Sequence, residues 1–486
     1  METTRGLRVP GHWLGFAAGP VAALLIWVTP VPAEMPVAAH RVAGIAAWMA
    51  AWWLTGAIPL AATALLPLAT LPLLGVAAVD DVARRYADPI VFLFMGGFFL
   101  AAASERWGLH RRLALGVIAM VGTEAPRVVL AMMLATAFVS MWISNTATAA
   151  MMLPITLALI ELARREAPER AKPFGVALML GMAYSASIGG VATLIGTPPT
   201  AIFAAAAKTV AGRAIGFAEW MTVGLPIAAA MLLVCWLLLV RVLYRLRGPL
   251  GGVARLLEEE RAALGSWSAG QKAVVAVLAA TALAWVFREP KTIGGVTIPG
   301  LATLFPGVSD AGIAIAAALL LFVLPVARGE RRFALDWQTA SGIPWEVLIL
   351  FGGGLALAAA FETSGLAAWL GGRLEVLRAA PPLLVVGGVT LFFVFLTELT
   401  SNTATAAMAM PLVASLAPTL GAEPLGLMAA AALGSSFGFM LPVGTPPNAL
   451  AYGSGAVTAA EMRRAGFWLD LAGVVVITAA VLVWRS

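Results

Sequence analysis

A short polar segment occurs twice in this chain. Residues Ser144–Pro154 read SNTATAAMMLP and residues Ser401–Pro411 read SNTATAAMAMP, so the two copies lie 257 residues apart. The same offset relates the upstream segments that begin at Phe94 and at Phe351. A constant offset over such a length indicates an internal duplication rather than a shared alanine-rich composition.

A second pair of segments breaks the chain in a similar way. Gly196–Thr200 reads GTPPT and Gly444–Asn448 reads GTPPN. The only three asparagines of the chain, Asn145, Asn402 and Asn448, all lie within these two pairs. Proline removes a backbone donor and glycine permits unusual dihedral angles, so each pair predicts an interruption of a helix.

The sequence around these segments is strongly apolar. Hydrophobic residues make up 61% of the chain and charged residues 12%, which excludes a soluble globular protein. Apolar runs near the roughly 20 residues that a membrane-spanning helix needs recur throughout. They lie at 12–30, 41–57, 59–78, 88–106, 174–192, 221–245, 271–287, 309–327, 345–370, 425–441 and 465–484. We therefore expect an all-α membrane protein with about 11 transmembrane helices.

The two copies of the duplication are expected to be inverted relative to one another. On this list the span that holds Phe351 is the fifth after the span that holds Phe94, so five crossings lead from one residue to the other, and an odd number of crossings reverses the orientation. Inverted repeats with interrupted hydrophobic segments in corresponding positions are typical of secondary transporters. The predicted division is an N-terminal helix (1–40), a first repeat (41–246), a cytoplasmic linker (247–270) and a second repeat (271–486).

Charge and cysteine content narrow the function classes. The net charge of +6 comes from basic groups clustered on the predicted cytoplasmic segments, which indicates orientation and not a nucleic-acid partner. We expect a multi-pass protein of the inner (plasma) membrane with its N-terminus in the cytoplasm. The single cysteine, Cys235, excludes an intramolecular disulfide and a cysteine-based metal cluster.

The four breaks are predicted to form two hairpins and two broken helices. Residues 127–163 and 382–418 each hold two arms of roughly 16 residues, about 24 Å long, which is short for a full crossing. We interpret them as re-entrant hairpins with Ser-Asn-Thr at the tip. Residues 174–210 and 425–456 are helices broken at Gly-Thr-Pro-Pro. At each tip a helix N-terminus, with its free N–H groups and positive dipole end, would face the gap.

The chemistry of the tips favours a small hard cation. Ser140 precedes Ser144 by four residues and Thr397 precedes Ser401 by four, so each tip offers two hydroxyls beside its asparagine. Hydroxyl, amide and carbonyl oxygens are neutral ligands suited to Na⁺. The breaking segments themselves contain no Lys, Arg or His, so an anionic substrate would need helix dipoles and co-bound cations.

Together, the paired Ser-Asn-Thr tips and the paired Gly-Thr-Pro-Pro loops resemble the divalent-anion/sodium symporter family. The resemblance implies a homodimer with eleven transmembrane helices and two re-entrant hairpins. It also implies scaffold and transport domains that move by an elevator mechanism. One departure is Thr200, which stands where the second copy has Asn448.

The resemblance also implies site residues, partly acting through backbone carbonyls. Two sodium sites are expected, the first from Ser140, Ser144, Asn145 and Gly196, the second from Thr397, Thr400, Asn402 and Gly444. The substrate carboxylates are expected at Asn145, Thr146, Asn402, Thr403, Thr445 and Pro446.

The sequence therefore predicts a sodium-coupled symporter of C4-dicarboxylates such as succinate, malate and fumarate. A sodium-independent dicarboxylate exchanger and a sodium-coupled citrate or sulfate transporter are the alternatives. An enzyme is not expected, because His12, His40 and His110 all lie away from the tips. A channel would need a continuous pore rather than two opposed hairpins. The expected partners are a small dicarboxylate, sodium ions, the lipid bilayer and a second copy of the chain.

Overall fold

The fold is helical in a computed structural model that describes residues 12–119, 124–249, 252–293, 296–326, 332–373 and 381–484. The exception within these residues is one short antiparallel hairpin, formed by β1 (Lys291–Ile293) and β2 (Val296–Ile298). The expected all-α membrane fold is confirmed, with this hairpin as a small addition.

The first half of the chain forms twelve of the helices in the described residues. They are α1 (His12–Val28), α2 (Val37–Thr55), α3 (Leu60–Thr63), α4 (Leu66–Leu73), α5 (Val79–Tyr86), α6 (Pro89–Arg106), α7 (Leu109–Ala119), α8 (Ala125–Ser140), α9 (Asn145–Glu166), α10 (Pro168–Gly190), α11 (Pro198–Ala211) and α12 (Phe217–Leu237). A π-helical turn, Leu238–Leu243, extends α12.

The second half forms twelve more within the same described ranges. They are α13 (Val253–Ala263), α14 (Ala269–Val286), α15 (Leu301–Leu304), α16 (Asp310–Val323), α17 (Trp337–Ala340), α18 (Trp345–Thr363), α19 (Leu366–Arg373), α20 (Pro382–Leu399), α21 (Asn402–Leu416), α22 (Pro424–Gly434), α23 (Pro446–Gly453) and α24 (Ala459–Trp484).

Several of these helices are suited to a membrane. In the part of the chain that the structure describes, 8 helical segments are long and apolar enough to cross one, judged by length and composition. Shorter apolar helices, among them α8, α16 and α22, accompany them. The expected number of about eleven spans therefore stays a prediction.

Each of the four breaking segments interrupts a helix. The first hairpin segment breaks between Ser140 and Asn145, where α8 ends and α9 begins, and the second breaks between α20 and α21. The helices α11 and α23 each begin with the proline pair, because the first helical position needs no backbone donor. The structure therefore presents four helix N-termini at the breaks.

In each half, the helix before the Gly-Thr-Pro-Pro break forms the centre. Both arms α8 and α9 pack against α10, and both α20 and α21 pack against α22. Nearly all of α10 and α22 is buried, as expected for helices that are apolar on all sides. Small residues permit the close approach, since a Cβ at Gly189 would lie 2.3 Å from the carbonyl oxygen of Ala137.

Each half contributes one short helix that packs against the other half. The helix α11 of the first half packs on α21 and α22, and α23 of the second half packs on α9 and α10. Phe94 and Phe351, which the 257-residue offset relates, contact each other with ring centroids 5.1 Å apart. Equivalent residues meet in this way near an axis that relates two repeats.

One feature of the packing is not reciprocal. The helix α18 packs against α11 and α21, whereas its counterpart α6 has at most a marginal contact with α9 or α23 in the described residues. Gly354 on α18 lies beside Ala407 on α21, and a Cβ at Gly354 would be 3.8 Å from that of Ala407. Ala407 is buried, while the equivalent Ala150 is exposed. In the described residues, the hairpins and broken helices therefore pack more closely against α18 than against its counterpart α6.

Candidate functional site

The first tip forms a cluster of oxygen atoms around Asn145. Ser140 is the last residue of α8, and its fully buried hydroxyl donates to the carbonyl of Ala186 at 2.7 Å. The carboxamide of Asn145 contacts Ser140 Oγ at 2.8 Å. The same carboxamide atom lies 3.0 Å from the oxygen of Ala186 and 3.3 Å from the oxygen of Gly196. The structure thus brings together three of the four residues predicted for the first sodium site.

Two glycines allow this cluster to close. A Cβ at Gly190 would lie 2.4 Å from Asn145 Oδ1. A Cβ at Gly196 would lie 2.4 Å from the carbonyl oxygen of Gly190 and 2.8 Å from that of Ser140. Any other residue at these two positions would collide with the oxygen cluster or with the backbone that supplies it.

The second tip repeats the arrangement with different residues. The buried hydroxyl of Thr397 contacts Asn402 Oδ1 at 2.7 Å and donates to the carbonyl of Ser435 at 2.9 Å. In both tips a hydroxyl five residues before the asparagine joins it to a carbonyl of the following broken helix. The duplication seen in the sequence is therefore a duplication of hydrogen-bonding geometry.

The first cluster has a composition that suits a cation. If the Asn145 amide nitrogen faces the cluster, it donates to Ser140 Oγ, Ala186 and Gly196. If the amide oxygen faces it, the Ser140 hydroxyl is the one donor among the four oxygens of Ser140, Asn145, Ala186 and Gly196. A hard cation takes neutral oxygen ligands of this kind. The residues present thus fit Na⁺, with the Asn145 amide as the group that replaces it.

Two residues predicted as sodium ligands have other partners here. The hydroxyl of Ser144 accepts from the backbone N–H of Ala147 at 3.3 Å and caps α9. The hydroxyl of Thr400 donates to the carbonyl of Leu396 at 2.9 Å and contacts Thr405 Oγ1 at 2.5 Å. The pairing of Ser140 with Ser144, inferred from a spacing of four, does not form, because α8 ends at Ser140 and the chain turns there.

The residues predicted for the substrate lie at the N-termini of α9, α21 and α23. Asn145 and Asn402 are half-buried, Thr146 and Pro446 are exposed, and Thr403 is partly exposed. Each of them stands in the first turn of its helix, where backbone N–H groups are free. An anion could approach these N-termini while the hydroxyls below them stay buried.

Thr445 and Asn448 organise the second Gly-Thr-Pro-Pro segment. The hydroxyl of Thr445 accepts from the N–H of Asn448 at 3.4 Å. The amide of Asn448 donates to the carbonyls of Gly438 and Leu441, both at 3.1 Å. In the first half, Thr200 has the role of Asn448 but has a shorter side chain. Its hydroxyl donates to the carbonyls of Thr197 at 2.7 Å and Leu194 at 3.0 Å. Both residues fasten the preceding loop, which accounts for the departure between the copies.

The sequence did not single out two acidic residues beside the second tip as site residues. Glu398, which is 3% exposed, accepts from the N–H groups of Met440 at 2.6 Å and Leu441 at 2.8 Å. Asp470 on α24 is fully buried and accepts from the N–H of Phe439 at 3.2 Å. A lone acid inside the apolar run 465–484 was the available signal for Asp470, because such residues are rare at membrane depth and functional.

Known proteins resemble this chain along nearly its whole length. The family described as the sodium:sulfate symporter transmembrane region matches residues 11–486. Two relatives named sodium-dependent dicarboxylate transporter SdcS cover most of it. The one from Staphylococcus saprophyticus is 40% identical over 478 residues, 97% of this chain and 91% of the relative. The one from Staphylococcus aureus strain RF122 is 41% identical over 475 residues, 96% of this chain and 90% of the relative.

A solved structure has a similar fold. The crystal structure of the Alcanivorax borkumensis YdaH transporter matches with a TM-score of 0.52 and 15% sequence identity, over 83% of this chain and 87% of that one. Its likeness supports the multi-pass helical architecture alone. The names of the relatives and of the matching family are those of transporters.

Proposed function

The chain belongs to the sodium:sulfate symporter family, and we propose that it is a sodium-coupled symporter of C4-dicarboxylates such as succinate, malate and fumarate. The names of the two relatives, which are sodium-dependent dicarboxylate transporters at 40% and 41% identity, support the substrate class. The observation that carries the proposal is the pair of matching oxygen clusters at the tips.

The proposed sites use the residues that the sequence suggested. One Na⁺ is held by the Ser140, Asn145 and Gly196 cluster, and another by Thr397, Asn402 and Gly444. Ser144 and Thr400 contribute through their carbonyls, because their hydroxyls bond elsewhere. The dicarboxylate meets the helix N-termini at Asn145, Thr146, Asn402, Thr403, Thr445 and Pro446. Each bound cation lowers the electrostatic free energy required to bind the anion. By thermodynamic linkage, the bound anion raises the affinity for the cation by the same factor.

We propose that transport proceeds by an elevator movement of the hairpins and broken helices. The support is the unequal packing in the described residues, in which α18 contacts α11 and α21 while α6 has at most a marginal contact with α9 or α23. Exchange of the two repeats' roles would produce the opposite state. We place the protein as a homodimer in the plasma membrane with a cytoplasmic N-terminus.

Uptake of radiolabelled succinate into proteoliposomes tests the function. We expect accumulation when an inward Na⁺ gradient is imposed and none when choline replaces sodium. Counterflow of succinate in sodium-free buffer would instead identify an exchanger. Because the family description names sulfate, unlabelled sulfate, citrate and aspartate are added as competitors. Inhibition by sulfate or citrate without inhibition by malate would refute the dicarboxylate assignment.

A further inference from the structure

We propose that Glu398 and Asp470 are positioning residues that hold the loop 435–445 and thereby set the sodium affinity of the second tip. The inference rests on the proposed function, since it concerns a sodium site of that transporter. It adds two acidic residues that hold no substrate and act through the backbone between α22 and α23.

The two carboxyl groups bind three successive N–H groups of one loop. Asp470 takes the N–H of Phe439, and Glu398 takes those of Met440 and Leu441. These distances run from 2.6 to 3.2 Å. A carboxyl group is a good acceptor for a backbone N–H, and a buried N–H without a partner is costly. The loop cannot leave this position without losing three bonds at once.

The held loop carries the backbone of the second sodium site. A Cβ at Gly444 would lie 3.1 Å from Glu398 Oε2. A Cβ at Gly438 would lie 3.1 Å from Thr397 Cγ2. On the opposite side α24 is in direct contact, since a Cβ at Gly466 would lie 2.3 Å from the carbonyl oxygen of Phe439. Glu398 and Asp470 therefore fix the loop from both sides, between the tip and α24.

The first half supports its loop in another way. There Trp220 Nε1 donates to the carbonyl of Val191 at 2.9 Å, and the hydroxyl of Thr193 donates to that of Met141 at 2.5 Å. The 257-residue offset places Met141 opposite Glu398, so the acid has no counterpart. Neutral donors hold carbonyls in the first loop, whereas acids hold N–H groups in the second.

The surroundings of the pair decide how each substitution should behave. The carboxyls of Glu398 and Asp470 lie within hydrogen-bonding reach of each other. Among the described residues no ion pair includes either one, and Asp470 Oδ2 has no hydrogen-bond donor. An asparagine at position 470 keeps the bond to Phe439 and supplies an N–H toward Glu398. A leucine removes both contacts. A glutamine at position 398 leaves one loop N–H facing an amide donor.

The experiment compares four variants: Glu398→Gln, Asp470→Leu, Asp470→Asn and the matched control Glu423→Gln. Glu423 also accepts two successive N–H groups, those of Leu425 and Gly426 at 3.1 and 2.7 Å, at the N-terminus of α22 away from the tip. Two quantities are measured: the Na⁺ concentration for half-maximal succinate uptake, and the rise in melting temperature of the purified protein on adding NaCl in place of choline chloride.

We expect Glu398→Gln and Asp470→Leu to raise the half-maximal Na⁺ concentration about tenfold or more. The maximal uptake per folded protein should change far less. Asp470→Asn and Glu423→Gln should match the wild type. An unchanged Na⁺ dependence in Glu398→Gln, or an Asp470→Asn protein as impaired as Asp470→Leu, would overturn the proposal. If Asp470→Leu does not fold, the comparison of Glu398→Gln with Asp470→Asn still decides.

Failure of this proposal is distinguishable from failure of the proposed function. The melting-temperature series needs no substrate, so it reports Na⁺ binding even if succinate is not transported. A wild type that is stabilised by Na⁺ but does not take up succinate refutes the substrate and leaves the positioning test intact. A wild type without any response to Na⁺ overturns both.

Discussion

The unequal packing of the two repeats predicts a pair of mutually exclusive cross-links. A Cβ at Gly354 would lie 3.8 Å from that of Ala407, within the 3.5–4.5 Å that a disulfide needs. Cysteines at these two positions should therefore link in the state described here. The 257-residue offset maps the pair onto Gly97 and Ala150. If the repeats exchange roles, cysteines at those positions should link in the opposite state.

The structure also predicts in which state each cysteine pair can form a disulfide. Ala150 is exposed and α6 barely contacts α9 in the described residues, so the Gly97/Ala150 pair should not link in this state. A Cβ at Gly97 would lie 3.2 Å from Ile195 Cγ2, a contact that a small shift of the isoleucine relieves. A state populated at about 1–10% lies about 1.3–2.7 kcal/mol above the main one. Because a disulfide does not reopen under oxidising conditions, even such a minor state becomes fully cross-linked with time.

The assay uses a chain in which Cys235, the single native cysteine, is replaced by alanine. Each double-cysteine variant is oxidised in membranes with copper phenanthroline, and remaining thiols are counted by the gel shift of maleimide-PEG. We expect both pairs to lose their thiols and their succinate uptake, with reductant restoring uptake. The single-cysteine variants should keep both. An active Gly97/Ala150 variant that keeps its thiols through many turnovers would refute the exchange of repeat roles.

Three further predictions concern the tips. Asn145→Ala and Asn402→Ala should each abolish sodium-dependent uptake while the protein elutes as wild type in size-exclusion chromatography, so uptake in either mutant would refute the site. Thr397→Val should raise the half-maximal Na⁺ concentration by roughly 5- to 150-fold, as expected for about 1–3 kcal/mol lost with a buried hydroxyl, whereas Thr397→Ser should be mild; equal values for the two would exclude a role for the hydroxyl. Gly190→Ala should stop uptake because its Cβ would lie 2.4 Å from Asn145 Oδ1, while Gly453→Ala, with nothing within 4 Å, should be silent in the same uptake assay.

The positions of the helix breaks could be predicted from the sequence, but the partners at each break could not. The proline pairs determine where α11 and α23 begin, and the Ser144 cap marks the start of α9; these are local properties of the chain. The partner of Ser140 depends on where α8 ends. A continuous helix would pair it with Ser144, and a helix that stops at Ser140 pairs it with Asn145.

Asp470 illustrates a second limit to what the sequence can predict, namely contacts between distant helices. It reaches the loop between α22 and α23 because α24 packs against α20 and α22, and nothing in the neighbouring sequence records that packing. Glu398 directly follows Thr397 in the sequence, yet its partners are N–H groups more than 40 residues away. Contacts between distant elements form through tertiary packing, so a composition or a spacing identifies the residue and leaves its role open.

The absence of basic side chains in the four breaking segments has an energetic consequence for coupling. In the proposed site, a dianion among the helix N-termini obtains its charge compensation from those dipoles and from the co-bound cations. At about 4 Å and an effective dielectric constant of 20, one unit pair contributes roughly 4 kcal/mol before desolvation. A helix N-terminus contributes about 0.3–1 kcal/mol, up to about 2 when partly buried. The cations therefore dominate, and the binding of sodium and of dicarboxylate should be coupled far more tightly than in a site where an arginine fixes the anion. In this architecture the coupling arises because the breaking segments carry no basic side chain, so that co-bound cations must supply the positive charge.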